Sequence, residues 1–225
     1  MTMHIRDILT DMFGPEVGIG VEHVGEEGGL TADEAASVSR AIPKRVAEFA
    51  AGRRAAHNAL AAIGSSDRNL PMGEDRAPVW PQGIVGAITH DTGLALAVAA
   101  RRSTIEALGL DLTEAAPLPE GTRTQILRHP REEKLGDLEA RAVFSAKETL
   151  FKTLAPQVGF VFGFSAAEVE IDLSRGQFEA RLSQPLGKFG VGQIWQGALA
   201  IEGDRLLTGL IIREAQSRVP TPVLW

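Results

Sequence analysis

The sequence predicts an α+β fold made of two similar α/β halves, residues 1–103 and 104–225, each with antiparallel strands packed on helices. Two observations support this prediction. Each half contains a helix-forming segment, then a loop, then two apolar strand segments joined by a short polar turn. The composition, 44% hydrophobic and 23% charged, is that of a globular protein. The repeated order suggests a duplication, although a helix followed by a hairpin can also arise independently.

In the first half, the alanine-rich residues 35–63 predict helical structure, with Pro43 beginning a second segment that carries an approximate apolar stripe. The proline- and glycine-containing stretch 71–81 predicts a loop anchored by Trp80. Residues 84–99 then predict a β-hairpin, because two apolar runs flank a short polar turn.

In the second half, residues 105–112 predict a third apolar strand that ends in a proline-containing loop. The charged segment 120–140 is expected to be helical in part. Residues 145–154 predict a clear helix, with Pro156 just beyond its end. The remaining strands are predicted at residues 169–173, 193–201 and 206–212.

The charge balance limits the possible classes of partner. The 23 lysines and arginines against 29 aspartates and glutamates give a net charge of −6, which argues against a sequence-independent nucleic-acid binder. The absence of cysteine excludes disulfides and thiolate metal sites. Neither a signal-peptide pattern nor an apolar run of membrane-spanning length is present. We therefore expect a cytoplasmic monomer without membrane insertion, in which any anion site is a local cluster of basic residues.

Two acidic residues, Asp111 and Glu148, are the strongest candidates for chemistry. A carboxylate at the end of a strand and another on the first turn of a helix can converge on one hard cation, and Mg²⁺ needs only one or two protein carboxylates plus substrate phosphates. Structural interpretations remain open. Ser145 and Glu148 have capping-box spacing, and Glu148 and Lys152 have the spacing of a surface ion pair.

Five motifs, taken in order along the chain, resemble the 4′-phosphopantetheinyl transferase superfamily. They are Gly52-Arg53 with Ala56 and Leu60 on a helix, Pro78-Val79-Trp80-Pro81, Ile88-Thr89-His90, Gly109-Leu110-Asp111, and the segment Phe144-Ser145-Ala146-Lys147-Glu148 to Lys152. The Lys44-Arg45, Phe49 and Gly52-Arg53 pattern is similar to that of the bacterial, enterobactin synthase component D-like subgroup. That subgroup serves siderophore, nonribosomal peptide and polyketide synthesis.

The resemblance implies a pseudo-dimeric fold with coenzyme A bound between the halves. It implies transfer of the 4′-phosphopantetheine group to a serine of an apo acyl, aryl or peptidyl carrier protein, with Mg²⁺ or Mn²⁺ as the cofactor. Under this resemblance Asp111 and Glu148 hold the metal, and Glu148, Lys152 and His90 are catalytic. The residues expected to bind coenzyme A are Arg45, Arg53, Arg76, Thr89, His90, Lys147 and Lys152. Lys147 is expected either on the pyrophosphate or facing solvent.

The sequence departs from the family pattern at Thr113, where a second strand acid usually stands. Strand alternation places Asp111 and Thr113 on one face and Glu114 on the other, so Glu114 can replace the missing acid only if the strand has ended. We expect Thr113 or a water to fill that metal position. Two smaller departures are His57, where an arginine is common, and Arg76, which would replace a phosphate-binding lysine.

Several alternatives remain open at this point. Arg53 could be a solvated helix charge, and His90 a polar turn residue. A carrier protein could dock on Arg123, Arg128, Arg131 and Lys134, or these residues could form a solvated segment. The chain could also be a coenzyme A-binding relative without transfer activity, or a metal-dependent phosphohydrolase. The last is disfavoured because the sequence lacks a dense carboxylate and histidine cluster.

Overall fold

The computed structural model describes residues 2–26, 28–91 and 93–213. The helices are α1 Thr2–Phe13, α2 Ala32–Ser37, α3 Pro43–Ala62, α4 Arg123–Ile126 and α5 Asp137–Val158, with a 3₁₀ turn at Phe164–Ala166. The strands are β1 Gly18–His23, β2 Ile84–His90, β3 Leu94–Arg101, β4 Ala107–Glu114, β5 Ala167–Asp172, β6 Gln177–Leu182, β7 Ile194–Glu202 and β8 Arg205–Ile212. The predicted turn residue Thr92 and residues 214–225 of the predicted second half lie outside the described residues.

The strands form two antiparallel sheets, which confirms the predicted α+β class. The first sheet has the order β1-β3-β2, and the second has the order β4-β8-β7-β6-β5. The long helix α3 packs on β1 and β3, and α5 packs on β4, β8 and β5. Each sheet therefore buries one face under a long helix of its own half.

Glycines in the strands allow both long helices to lie very close to their sheets. A Cβ at Gly20 would lie 1.7 Å from the carbonyl oxygen of Ala55 on α3, and one at Gly109 would lie 2.4 Å from the carbonyl oxygen of Thr149 on α5. Because no side chain fits at either position, the helix backbone contacts the strand directly. The contact at Gly109 brings the next residue on the same face of β4, Asp111, against α5.

The two sheets meet along β2 and β4. Thr89 Oγ1 accepts a hydrogen bond from the Leu112 amide at 3.1 Å and donates one to Asp111 Oδ1 at 3.3 Å. One hydrophobic cluster also crosses the boundary, since Phe13 of α1 is buried in the same cluster as Leu207 of β8. The halves therefore share a core.

Both halves contain a strand, a long helix and a final hairpin whose second strand pairs with the first strand, and the second half has two further strands, β5 and β6, between the helix and the hairpin. The residue after each first strand also makes the same contact, because the Val24 amide donates to the Gly93 carbonyl and the Ala115 amide to the Asp204 carbonyl. These parallels support the predicted duplication. The boundary between residues 103 and 104 stays a prediction.

The predicted element boundaries were wrong in one important place. Helix α5 begins at Asp137 rather than Ser145, and it continues past Pro156 to end at Gly159, whose φ of 74° is left-handed. The segment 120–140 is helical only over α4 and the start of α5. In the part of the chain that the structure describes, no helix has the length and apolar character needed to cross a bilayer.

Candidate active site

Asp111 lies at the centre of the candidate site, where β4, α5 and β2 meet. Its side chain is buried, and its carboxylate accepts three side-chain hydrogen bonds. Lys152 Nζ lies 2.7 Å from Oδ1 and Ser145 Oγ lies 2.9 Å from Oδ2, while Thr89 donates to Oδ1. These contacts fix the orientation of the carboxylate from two separate elements, α5 and β2.

A chain of hydroxyl groups supports Asp111 from behind. Because an ionised carboxylate can only accept, Ser145 must donate to Asp111 and is then free to accept from Thr208 Oγ1 at 2.8 Å. Thr149 Oγ1 lies 2.7 Å from Thr208 Oγ1 and continues the chain. Ser145 is thus a buried hydrogen-bond donor to Asp111. It lies in the interior of α5, so the capping-box interpretation of Ser145 is wrong.

Regular spacing explains why these residues meet. Gly109, Asp111 and Thr113 face α5 because strand residues alternate. On α5, the residues that contact them are spaced four apart, and they are Thr149, Ser145 and Arg141 respectively. Glu148 and Lys152 follow at helical spacing on the same helix, and Lys152 contacts the Asp111 carboxylate.

Glu148 lies close enough to Asp111 for their charges to interact. Burial raises the pKa of the Glu148 carboxyl, the negative charge of Asp111 raises it further, and Lys152 partly counteracts both. Lys152 forms its ion pair with Asp111 across two elements, so the predicted i,i+4 surface pair with Glu148 was wrong. Glu148 also lies in the interior of α5, not on its first turn.

The donor set at Asp111 and Glu148 fits a divalent cation that also binds phosphate. Within the described ranges, no group of three or more histidines, aspartates and glutamates could hold a metal ion by itself. Mg²⁺, however, commonly uses one or two carboxylates and takes its other ligands from phosphate and water. Two interacting carboxylates, one of them with a raised pKa, are what a bound cation would stabilise.

Thr113 lies beside a positive charge. Arg141 Nη1 is 3.4 Å from Thr113 Oγ1, and the same guanidinium donates to the carbonyls of Ala116 and Pro117. Strand β4 continues through Glu114, so Glu114 stays exposed on the opposite face and cannot replace the missing acid. Metal ligation by Thr113 stays a prediction. Because the positively charged Arg141 guanidinium lies beside Thr113, a water molecule is the better candidate for the remaining metal ligand.

His90 ends β2 next to Arg45. Its Nε2 lies 3.4 Å from Arg45 Nη1. Burial lowers the pKa of His90, and the charges of Arg45 and Lys152 lower it too, whereas Glu48 and Asp91 raise it. The predicted basic residues Arg45, His90 and Lys152 therefore come together at one corner, as an anion site requires.

Arg53 is buried, so its interpretation as a solvated helix charge is wrong. It is 5% exposed, it donates from Nε to the Leu70 carbonyl at 2.7 Å, and its guanidinium lies 4.2 Å from the centre of the Phe49 ring. Burial lowers the pKa of Arg53 to about 10, although Glu34 acts against this shift. A role for Arg53 in binding coenzyme A stays a prediction, but its present contacts position the loop that follows Leu70.

Glu34 was not among the predicted site residues. It is fully buried, and its Oε1 accepts from the Leu70 amide at 3.0 Å and lies 2.9 Å from His57 Nε2. With Arg53 on the carbonyl, both polar backbone groups of Leu70 are held from α2 and α3. The capping box of Thr31 and Glu34 was the available sequence signal.

Lys147 points away from Asp111. It is 4% exposed, and its ammonium lies 2.7 Å from Glu132 Oε2 and 2.9 Å from the carbonyl of Ile126. Burial lowers the pKa of Lys147, and Glu132 opposes the shift. The solvent-facing interpretation was wrong. Both contacts are internal, and a role for Lys147 in binding coenzyme A stays a prediction.

A cleft of about 710 Å³ separates the loop before Trp80 from the end of α5. Residues of strand β2 and Leu108 line it, and Lys152 and Arg76 contribute positive charge. Arg76 has a left-handed φ of 68° within a tight turn, in which the Gly73 amide donates to the Ala77 carbonyl. The cleft lies between the two halves, where the resemblance predicts coenzyme A.

The basic segment proposed for carrier docking is partly engaged in internal contacts. Arg123 pairs with Asp137 at 3.1 Å, and Arg131 pairs with Glu170 at 2.5 Å. These pairs reduce the positive charge that the segment offers to an acidic partner. Docking at Arg123, Arg128, Arg131 and Lys134 stays a prediction.

Several known proteins are similar in sequence to the chain. Residues 33–100 match the family model of the 4′-phosphopantetheinyl transferase N-terminal domain. The chain is 39% identical over 164 residues to 4′-phosphopantetheinyl transferase Svp of Streptomyces mobaraensis, covering 69% of this chain and 67% of that protein. It is 31% identical to PptT of Mycobacterium tuberculosis, with 67% and 70% covered, and 36% identical to enterobactin synthase component D of Salmonella typhimurium, with 56% and 55% covered.

Proposed function

Because the chain belongs to the 4′-phosphopantetheinyl transferase family and is an enzyme of that class, we propose that it moves the 4′-phosphopantetheine group of coenzyme A onto a serine of an apo carrier protein. The observation that carries the proposal is the contact of Lys152 with Asp111 beside Glu148, at the edge of the cleft between the halves. The similarity to enterobactin synthase component D supports a carrier protein of siderophore, nonribosomal peptide or polyketide synthesis.

In the proposed reaction, the serine hydroxyl attacks the β-phosphorus of coenzyme A. The bond from that phosphorus to the bridging oxygen breaks, and adenosine 3′,5′-bisphosphate leaves with the electron pair. Glu148 accepts the serine proton, a task that suits its raised pKa because a stronger base accepts a proton more readily. Lys152, His90 and Arg45 neutralise charge on the phosphates.

A divalent cation would be held by Asp111 and Glu148, and when bound it supplies charge neutralisation to the pyrophosphate. The chain's own contribution is the fixed Asp111 carboxylate. Since Ser145, Thr89 and Lys152 already orient it, little reorganisation accompanies substrate binding.

The direct test is incubation of the chain with coenzyme A, Mg²⁺ and an apo carrier protein, followed by mass spectrometry of the carrier. We expect the carrier to gain one phosphopantetheine group at its serine, and replacing that serine with alanine should abolish the gain. Coenzyme A binding without any gain of mass, on several classes of carrier, would instead support a binding protein. Thr113 and its neighbour Arg141 are the observation that keeps this second candidate open.

Removal of divalent cations should stop the reaction. With EDTA in excess, we expect transfer to fall below about 1% of the starting rate, because cation neutralisation of phosphate accounts for several kcal/mol of the barrier. Added Mg²⁺ or Mn²⁺ should restore the rate, whereas added Na⁺ at equal ionic strength should not. Full activity in EDTA would show that Asp111 and Glu148 do not act through a metal.

Arg76 is proposed to bind the 3′-phosphate of coenzyme A. Arg76→Ala should weaken coenzyme A binding about tenfold, the effect of losing one charge-assisted hydrogen bond. Binding of dephospho-coenzyme A, which lacks that phosphate, should change little. Arg68→Ala removes an exposed arginine from the same loop and serves as the control. Calorimetry of both ligands measures the difference, and equal losses would remove Arg76 from the 3′-phosphate site.

A further inference from the structure

The turn that follows His90 is held by a residue of the other half. Arg205, the first residue of β8, donates from Nε to Asp91 Oδ2 at 2.6 Å. Both side chains are poorly exposed, Arg205 at 15% and Asp91 at 7%. An ion pair with this little solvent is screened weakly, so it contributes more than an ordinary surface pair.

Asp91 organises the turn itself. Its second oxygen, Oδ1, accepts hydrogen bonds from the amides of Gly93 at 2.8 Å and Leu94 at 2.7 Å, and its own amide donates to the Leu94 carbonyl. One carboxylate therefore closes the β2–β3 turn through Oδ1 and binds the other half through Oδ2. His90 is the residue immediately before it.

Arg205 is in turn fixed to the strand that carries Asp111. It is the register partner of Glu114 in the β4–β8 ladder, and the preceding residue, Asp204, accepts the Ala115 amide at 2.7 Å. His90 is therefore linked to the second half on both sides: Thr89, just before it, bonds to Asp111 and to the Leu112 amide, and Asp91, just after it, bonds to Arg205. Loss of the Arg205 guanidinium would leave only the link before His90, so the imidazole would be less well fixed relative to Asp111.

Charge provides a second reason for the contact. Asp91 is a carboxylate next to a histidine that is proposed to bind phosphate, and without a partner its negative charge would oppose an incoming phosphate. Arg205 neutralises Asp91 at 2.6 Å while itself lying on the side of the carboxylate away from the turn amides. The pair therefore removes a repulsion and leaves the positive corner of Arg45, His90 and Lys152 intact.

We propose that Arg205 is a positioning residue for transfer, which holds Asp91 so that His90 faces the pyrophosphate of coenzyme A. This inference rests on the proposed function. Arg205 acts through Asp91 and His90, and it makes no contact with the reacting groups itself.

The test is a double-mutant cycle on coenzyme A affinity and on transfer. Arg205→Met should raise the Kd for coenzyme A about tenfold and leave the KM for the carrier protein within about twofold, since misplacement of one phosphate contact carries costs of this order. In a His90→Ala background, Arg205→Met should add less than about twofold, because its effect acts through that histidine. If Arg205→Met does not fold, Asp91→Asn keeps an acceptor for the turn amides but loses both the ion pair and the negative charge, so it should raise the Kd for coenzyme A through lost positioning alone, and an unchanged Kd would contradict the inference.

The matched control is Arg213→Met. Arg213 pairs with Glu16, so this variant also breaks a contact between the two halves, but away from the turn of His90. We expect it to leave the Kd for coenzyme A unchanged. The inference is overturned if Arg205→Met weakens binding equally with and without His90, or if it behaves like Arg213→Met. Failure of the unmodified chain to transfer the group would contradict the proposed function instead, and this is measured first.

Discussion

Glu148→Gln is expected to lower the rate of phosphopantetheine transfer by about a thousandfold, the usual contribution of a positioned general base. The amide keeps the size of the side chain but can neither accept the serine proton nor carry the charge that attracts a cation. Coenzyme A affinity should fall much less than the rate. Glu133→Gln, the same change at an exposed position, should leave both quantities unchanged. Single-turnover kinetics with saturating coenzyme A would separate rate from affinity.

The pH dependence of the same variant provides an independent readout. The pKa of Glu148 is raised in the folded chain, and the proposed general base is the charged carboxylate, so under the proposed mechanism the wild-type rate should fall as the pH is lowered through that raised value. Stability follows the opposite course. The protonated Glu148 carboxyl contributes to the free energy of unfolding. This contribution is fully present below the ordinary pKa of 4.5 and is lost as the pH rises through the raised pKa of the folded chain. Glu148→Gln should therefore be more stable than wild type at neutral pH, and equal stability would contradict the buried placement.

Glu132→Ala is expected to destabilise the protein by about 3–5 kcal/mol, the cost of breaking a buried ion pair by removing one partner. Glu132 is fully buried, and its carboxylate accepts from Lys147 Nζ and from the amides of Arg128 and Val169. One side chain thus joins the segment after α4 to α5 and β5. Denaturant unfolding measures the loss, and a change below about 1 kcal/mol would contradict this role.

Lys147→Met separates the structural role of this lysine from binding. We expect it to lower the free energy of unfolding substantially, and the double variant Glu132→Gln/Lys147→Met to be more stable than Lys147→Met alone, since it leaves no unpaired charge. Lys188→Met, which breaks an exposed pair with Glu106, is the control. Coenzyme A affinity of the folded Lys147→Met protein should be unchanged. A selective loss of affinity would restore Lys147 to the ligand contacts.

The sequence was most informative where local spacing and family motifs agreed. Asp111 and Glu148 are 37 positions apart, and no periodicity connects them, but the resemblance predicted a common site, and the structure brings their charges within range of each other. Ser145 shows the limit of local reasoning. Its spacing to Glu148 fits a capping box, yet the same hydroxyl faces Asp111 once α5 begins a full two turns earlier.

Other residues escaped prediction because their partners are distant in sequence. Lys147 pairs with Glu132, which lies in a segment that looked only charged, and Arg53 is buried by contact with Leu70. Strand β1 was missed because glycines such as Gly18 and Gly20 usually indicate an interruption of secondary structure. Here these glycines are needed because the backbone of α3 leaves no room for a side chain. Strand β6 did carry a signal, since Phe178, Ala180 and Leu182 alternate inward.

The hydrophobic cluster that crosses the two halves has a consequence for how substrates enter. Side chains of α1, including Leu9 and Phe13, are buried together with Leu108 and Leu207 of the second half. A hinge that swung the halves apart would expose this cluster to water at a prohibitive free-energy cost. Under the proposed function, the catalytic groups would therefore be assembled before the substrates bind, and the substrates would reach them without closure of the two halves.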